Sequence, residues 1–98
     1  MNNVYIMSAN RSAIGGFGGT LKNHCPVDLG TLVAKEAIVR SGFEANEVEH
    51  AVFGNVIHTE PRDMYVSRVI ALQAGMDKVS AALTVNRLCG SGLQAIVS

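Results

Sequence analysis

Short apolar runs rich in β-type residues alternate along this chain with longer runs whose apolar residues recur at helical spacing. That alternation leaves few folds open. Val4 to Ala9 (VYIMSA), Ala51 to Ile57 (AVFGNVI) and Leu83 to Leu88 (LTVNRL) read as strands. Between the first two, Pro26 to Ser41 reads as a helix with Leu29, Leu32, Val33 and Ala37 on one face and Ala34 and Ile38 beside it. Pro26 suits a first turn, Asp28 lies in that turn, and Arg40 and Gly42 mark the end. A second helix runs from a capping Asp63 to Ala74, with Val66, Val69 and Ile70 at helical spacing and Gly75 as its stop. Cys89 to Ser98 returns to helical spacing through Leu93, Ile96 and Val97. The order β-α-β-α-β-α predicts an α/β fold, a mostly parallel sheet with right-handed crossovers and helices on both faces.

The chain has 98 residues, room for a single domain, yet it is 48% hydrophobic and only 16% charged. Soluble domains carry about 25% charged residues. A domain of this size buries only about two-thirds of its extended-chain surface and so needs a charged exterior. Residues 1–98 are therefore expected to be the start of a larger α/β unit, truncated with its last helix cut at Ser98, or one half of an oligomer. Eight basic and eight acidic residues cancel, with no basic block, which disfavours nucleic acid or an anionic membrane as partner. No charged-then-apolar leader and no apolar run near about 18 residues is seen, so neither signal peptide nor membrane span is expected. Cys25 and Cys89 are too few for a disulfide framework or a zinc site. A reducing, cytoplasmic setting is the expectation, with each thiol worth weighing as a nucleophile.

Most polar candidates have a plain reading. Gly15-Gly16-Phe17-Gly18-Gly19 follows a strand but lacks the Gly-Lys-Ser/Thr of a phosphate loop, and no helix starts directly after it. It reads as a loop. His24 and Cys25 are sequence neighbours whose side chains diverge, a lead-in to the Pro26 helix. His50 and His58 flank the second strand as polar ends, although strand ends in open α/β sheets are where ligands gather. Glu60, Arg62 and Asp63 surround Pro61 as a solvated turn before the next helix.

The segment Val85 to Ile96 (VNRLCGSGLQAI) carries more. It puts Cys89 where a strand turns directly into a helix, a placement similar to a nucleophile elbow. Unpaired amides and the positive end of the helix dipole favour a thiolate there. Gly90 and Gly92 let a substrate approach the backbone and let amides face an oxyanion. A small cysteine packing helix onto strand is the competing reading. Position, helix end and paired glycines together favour the nucleophile.

Asn86-Arg87-Leu88-Cys89-Gly90-Ser91-Gly92-Leu93-Gln94-Ala95-Ile96 resembles the nucleophile motif of the thiolases, the acetyl-CoA acetyltransferases and β-ketothiolases. Arg11 to Leu21 (RSAIGGFGGTL) is similar to the family's N-terminal block, and Val52 to Val56 (VFGNV) to its second strand. Thr59 to Tyr65 (TEPRDMY) departs from the common Gln-Asn-Pro-Ala-Arg form and looks more like β-ketothiolases that also accept longer acyl chains. The resemblance spans nearly the whole chain.

It implies that Cys89 accepts an acyl group from acyl-CoA and that its backbone amide contributes to an oxyanion hole. Acetyl-CoA deprotonated at its α-carbon then attacks in a Claisen condensation. In reverse, CoA cleaves a 3-ketoacyl-CoA, as in fatty acid metabolism. CoA thioesters are substrates, and no further cofactor or metal is implied. The family's Asn-Glu-Ala-Phe, Gly-His-Pro and Cys-Ile-Gly-Gly-Gly motifs, with its base, acid and main CoA-binding segment, do not occur here. The chain alone is thus expected to be inactive and to form a homodimer or higher homo-oligomer. A ketoacyl-synthase-like condensing enzyme and a non-catalytic, self-associating fragment are the alternatives.

Overall fold

Two parallel strands with helices on both faces form the centre of the molecule, in a computed structural model that describes residues 2–98. Helix α1 spans Pro26–Ser41, β1 His50–Gly54, α2 Val66–Gln73, β2 Ala81–Val85 and α3 Ser91–Val97. Single 3-10 turns at Ala45–Glu47 and Pro61–Tyr65 precede β1 and α2. Strands β1 and β2 pair in register from His50 with Ala81 to Gly54 with Val85. Alternate residues of a strand face opposite sides. Ala51 and Phe53 pack with α2 residues, whereas the Cβ direction of Gly54 meets Ser91 of α3. The two helices therefore cover opposite faces.

Helix α1 has the bounds its local signals predict. Pro26 occupies the first turn, Arg40 the last, and Gly42 takes the left-handed conformation at φ +80 beyond the end. Its buried edge differs from the expected Leu29–Leu32–Val33–Ala37 face: Leu32 is 65% exposed while Val27 is fully buried. The contact with α2 runs through Val27, Gly30 and Ala34, because small residues let the two helices approach. Thr31 Oγ1 donates to Gln73 Oε1 at 2.8 Å along the same seam.

Ser67, fully buried on α2, ties that helix to both strands. Its hydroxyl accepts the Phe53 N–H at 3.0 Å and donates to the Leu83 carbonyl at 2.7 Å. The Thr84 hydroxyl donates to the Ser67 Oγ at 2.9 Å. A polar side chain in the core is tolerated when its donor and acceptor are both used, as here.

Three sequence readings change. Val4–Ala9 is not a strand: Val4 is 95% exposed, and the segment lies on α1 through Ser8 Oγ to the Ala37 carbonyl (2.8 Å) and Asn10 Nδ2 to the Val33 carbonyl (3.1 Å). A strand needs a ladder partner, and this segment is tied to the carbonyls of a helix instead. The other two strands start and end earlier than the apolar runs do, at Gly54 and Val85. Asp63 is not the N-cap of α2 but the third residue of the preceding 3-10 turn, where it is fully buried.

The described molecule exposes 7199 Å². A compact monomer of 10.4 kDa exposes about 5,400 Å². Val4, Ile6, Val79 and Ile96 are among the large apolar side chains in the excess.

Candidate active site

Between β2 and α3 the chain reverses in a tight turn over residues 86–90, and Cys89 stands exposed on it. Leu88, just before the cysteine, has φ +48, a left-handed value that non-glycine residues seldom adopt. Side chains on either side hold it there. Asn86 Oδ1 accepts the Leu88 N–H at 3.0 Å. Ser91 Oγ accepts the Arg87 N–H at 2.8 Å and donates to the Leu88 carbonyl at 2.7 Å. The same carbonyl accepts the Ser91 N–H at 3.1 Å, and the Arg87 carbonyl accepts the Gly90 N–H at 3.0 Å.

These bonds decide which amides are free. Those of Gly90 and Ser91 are consumed inside the turn, so Gly90 does not offer an N–H to an oxyanion as its glycine character suggests. The Cys89 amide has no acceptor among the described residues. Gly92 opens space: a Cβ there would meet nothing within 4 Å.

The turn rests on β1. A Cβ on Gly54 would lie 2.8 Å from both the carbonyl carbon and the Cβ of Ser91, closer than side chains pack. The close backbone approach implied by a glycine inside a strand is therefore met by the residue that clamps the cysteine turn.

The remaining candidates lie elsewhere. Cys25 is half-buried at the N-cap of α1, where Arg62 Nη2 approaches its Sγ at 3.6 Å and also meets Glu60 Oε1 at 2.9 Å. A hydrogen bond to the Asp28 side chain pushes the Cys25 thiol pKa up from its ordinary 9.0. Asp63 is no solvated turn residue. Burial pushes its pKa up, but N–H donors from Thr59 (2.7 Å) and Glu60 (3.1 Å) and the Thr59 hydroxyl (2.8 Å) outweigh that and hold it below 3.8. All of them reach Oδ2; Oδ1 is buried with no partner among the described residues. His24, His50 and His58 are exposed, and no group of His, Cys, Asp and Glu that could hold a metal occurs among the described residues. A surface hollow of about 470 Å³ lies by the C-terminal end of α1, lined by Lys35, Ile38, Val39, Phe43 and Ala74 among others, and Cys89 is not part of it.

The fold has close counterparts among known proteins. A family model described as the thiolase N-terminal domain matches residues 4–98. The chain belongs to the thiolase family. A β-ketothiolase of Cupriavidus necator is 58% identical over 95 residues, covering 97% of this chain and 24% of that protein. The mitochondrial 3-ketoacyl-CoA thiolase of Bos taurus is 37% identical over 98 residues, all of this chain and 25% of its own length. The crystal structure of human mitochondrial 3-ketoacyl-CoA thiolase in complex with CoA superposes with a TM-score of 0.91 at 36% identity, covering 95% of this chain and 24% of that one. The thiolase chain described here thus spans about a quarter of the length of these relatives.

Within this thiolase segment, sequence reasoning located the cysteine turn but passed over Ser91. Flanked by Gly90 and Gly92, it reads as a small spacer. The available signal was Gly54, whose missing side chain announces a close neighbour without saying which.

Proposed function

We propose that Cys89 is the acyl-accepting nucleophile of an acetyl-CoA C-acyltransferase of the β-ketothiolase kind. The observation that carries this reading is the turn itself: an exposed thiol whose own amide is unpaired, between a strand and a helix. The thiolate attacks the carbonyl carbon of an acyl-CoA, a carbon–sulfur bond forms to Cys89, and the bond to CoA breaks with CoA leaving as thiolate. The Cys89 N–H stabilises the oxyanion that develops between those events. An acetyl-CoA carbanion then takes the acyl group and Cys89 leaves as thiolate; CoA thiolysis of a 3-ketoacyl-CoA is the reverse.

The proton abstraction at the α-carbon needs a placed base. The Gly-His-Pro and Cys-Ile-Gly-Gly-Gly motifs that the family resemblance assigns to base and acid do not occur in these 98 residues, so alone they are not expected to turn over. The relatives at 58% and 37% identity, a β-ketothiolase and a 3-ketoacyl-CoA thiolase, support acyl-CoA substrates for the whole protein.

Incubation with excess acetyl-CoA, followed by peptide mapping, tests the assignment. One acetyl group on Cys89, absent in Cys89→Ser, is the expected result. Acetylation of Cys25 instead, or equal labelling after Cys89→Ser, rejects it.

A further inference from the structure

Ser91 is 5% exposed although it belongs to a turn whose cysteine is open to solvent. Its hydroxyl takes the Arg87 N–H at 2.8 Å and commits its only proton to the Leu88 carbonyl at 2.7 Å. The Arg87 N–H lies one residue before the left-handed Leu88, and the Leu88 carbonyl leads out of it. A backbone conformation of that kind persists only where its surroundings over-determine it. Ser91 bridges both sides of it and is itself seated on Gly54 of β1.

We propose that Ser91, seated on Gly54, is a positioning residue for acyl transfer at Cys89: its hydroxyl sets the Cys89 amide relative to the Cys89 sulfur. This rests on the reading of Cys89 as nucleophile. Ser91 is not a catalytic residue, because its donor and acceptor are both used within the turn. It acts by holding the Leu88 carbonyl, which shares one rigid peptide unit with the Cys89 N–H, so fixing the one fixes the direction of the other. An oxyanion donor works only when held about 2.7–3.1 Å from the developing charge. A displacement of about 1 Å costs on the order of a hundredfold in rate.

The test compares two reactions at one sulfur. Acylation by acetyl-CoA passes through an oxyanion, whereas alkylation by iodoacetamide does not. In Ser91→Ala the Cys89 acetylation rate should fall about tenfold or more while its alkylation rate stays within about twofold. Gly54→Ala keeps the hydroxyl but displaces its seat, and should shift the same ratio in the same direction. Equal acetylation in wild type and both variants overturns the proposal. So does a parallel fall in both reactions, which places the effect in thiol access or folding. Acetylation that survives Cys89→Ser would instead overturn the nucleophile reading, so the two failures are separable.

Discussion

Gly54 on β1 and Ser91 on α3 are in backbone-to-side-chain contact so close that a methyl group on Gly54 would sit 2.8 Å from the Ser91 Cβ. Thirty-odd residues separate them in sequence, and their contact is where the sheet holds the cysteine turn.

Gly54→Ala should therefore destabilise the fold. The methyl group meets backbone atoms of Ser91, which cannot rotate away as a flexible side chain can. Overpacking of this kind costs about 1–3 kcal/mol. Urea denaturation should show a lower midpoint, and an unchanged one would mean the turn is not seated as described.

Gly30→Ala sets helix propensity against packing. Alanine in mid-helix gains about 0.5–1 kcal/mol over glycine, but the new methyl overlaps Ile70 Cδ1 and comes within 3.1 Å of Ile70 Cγ1. Ile70 is buried in the core, so the clash wins and the single variant loses stability. Adding Ile70→Val removes the offending methyl. The double variant should be more stable than the sum of the two single effects implies, and strict additivity would contradict the contact.

Asp63 links stability to acid. Its carboxylate is held below 3.8 in the fold, so it binds fewer protons there than in the unfolded chain. The stability it contributes is present above about pH 4 and is lost as pH falls through 3.8 and below. Thermal midpoints measured from neutral pH to pH 3 should fall less steeply for Asp63→Asn than for wild type. The variant should also start lower at neutral pH, since the charged acceptor of three hydrogen bonds is gone. Parallel curves would remove Asp63 from the acid response.

The two thiols should differ in reactivity. Cys89 is exposed, while Cys25 is half-buried and held in its protonated form by the Asp28 side chain. Limiting iodoacetamide at neutral pH should label Cys89 first, and preferential labelling of Cys25 would contradict this placement.

The exposed area favours association. At about 25 cal/mol per Å² of apolar surface, covering even part of the excess offsets a sizeable entropy cost. Net charge is zero, so no long-range repulsion opposes contact. Sedimentation equilibrium of the folded chain should show a dimer or larger species, and a mass of 10.4 kDa at every concentration would rule that out.

Local chemistry decided what the sequence alone could determine. Helix α1 runs from Pro26 to Ser41 as its proline, arginine and glycine signals require, because each acts within one turn of its own position. The turn at Cys89 was legible for the same reason: β-type residues, two glycines and a helical repeat lie side by side. Tertiary structure decided the rest. The run Val4–Ala9 has strand composition but found no ladder partner, and pairing is settled across the chain rather than within the run. Asp63 reads as a surface cap, yet three donors on Thr59 and Glu60 allow it to be buried as a charge. Ser91 bonds to Arg87 and Leu88, four and three residues back, so its clamp is itself local. Its seat on Gly54 is not: these two residues meet only once β1 is laid against α3, and no local preference encodes that contact.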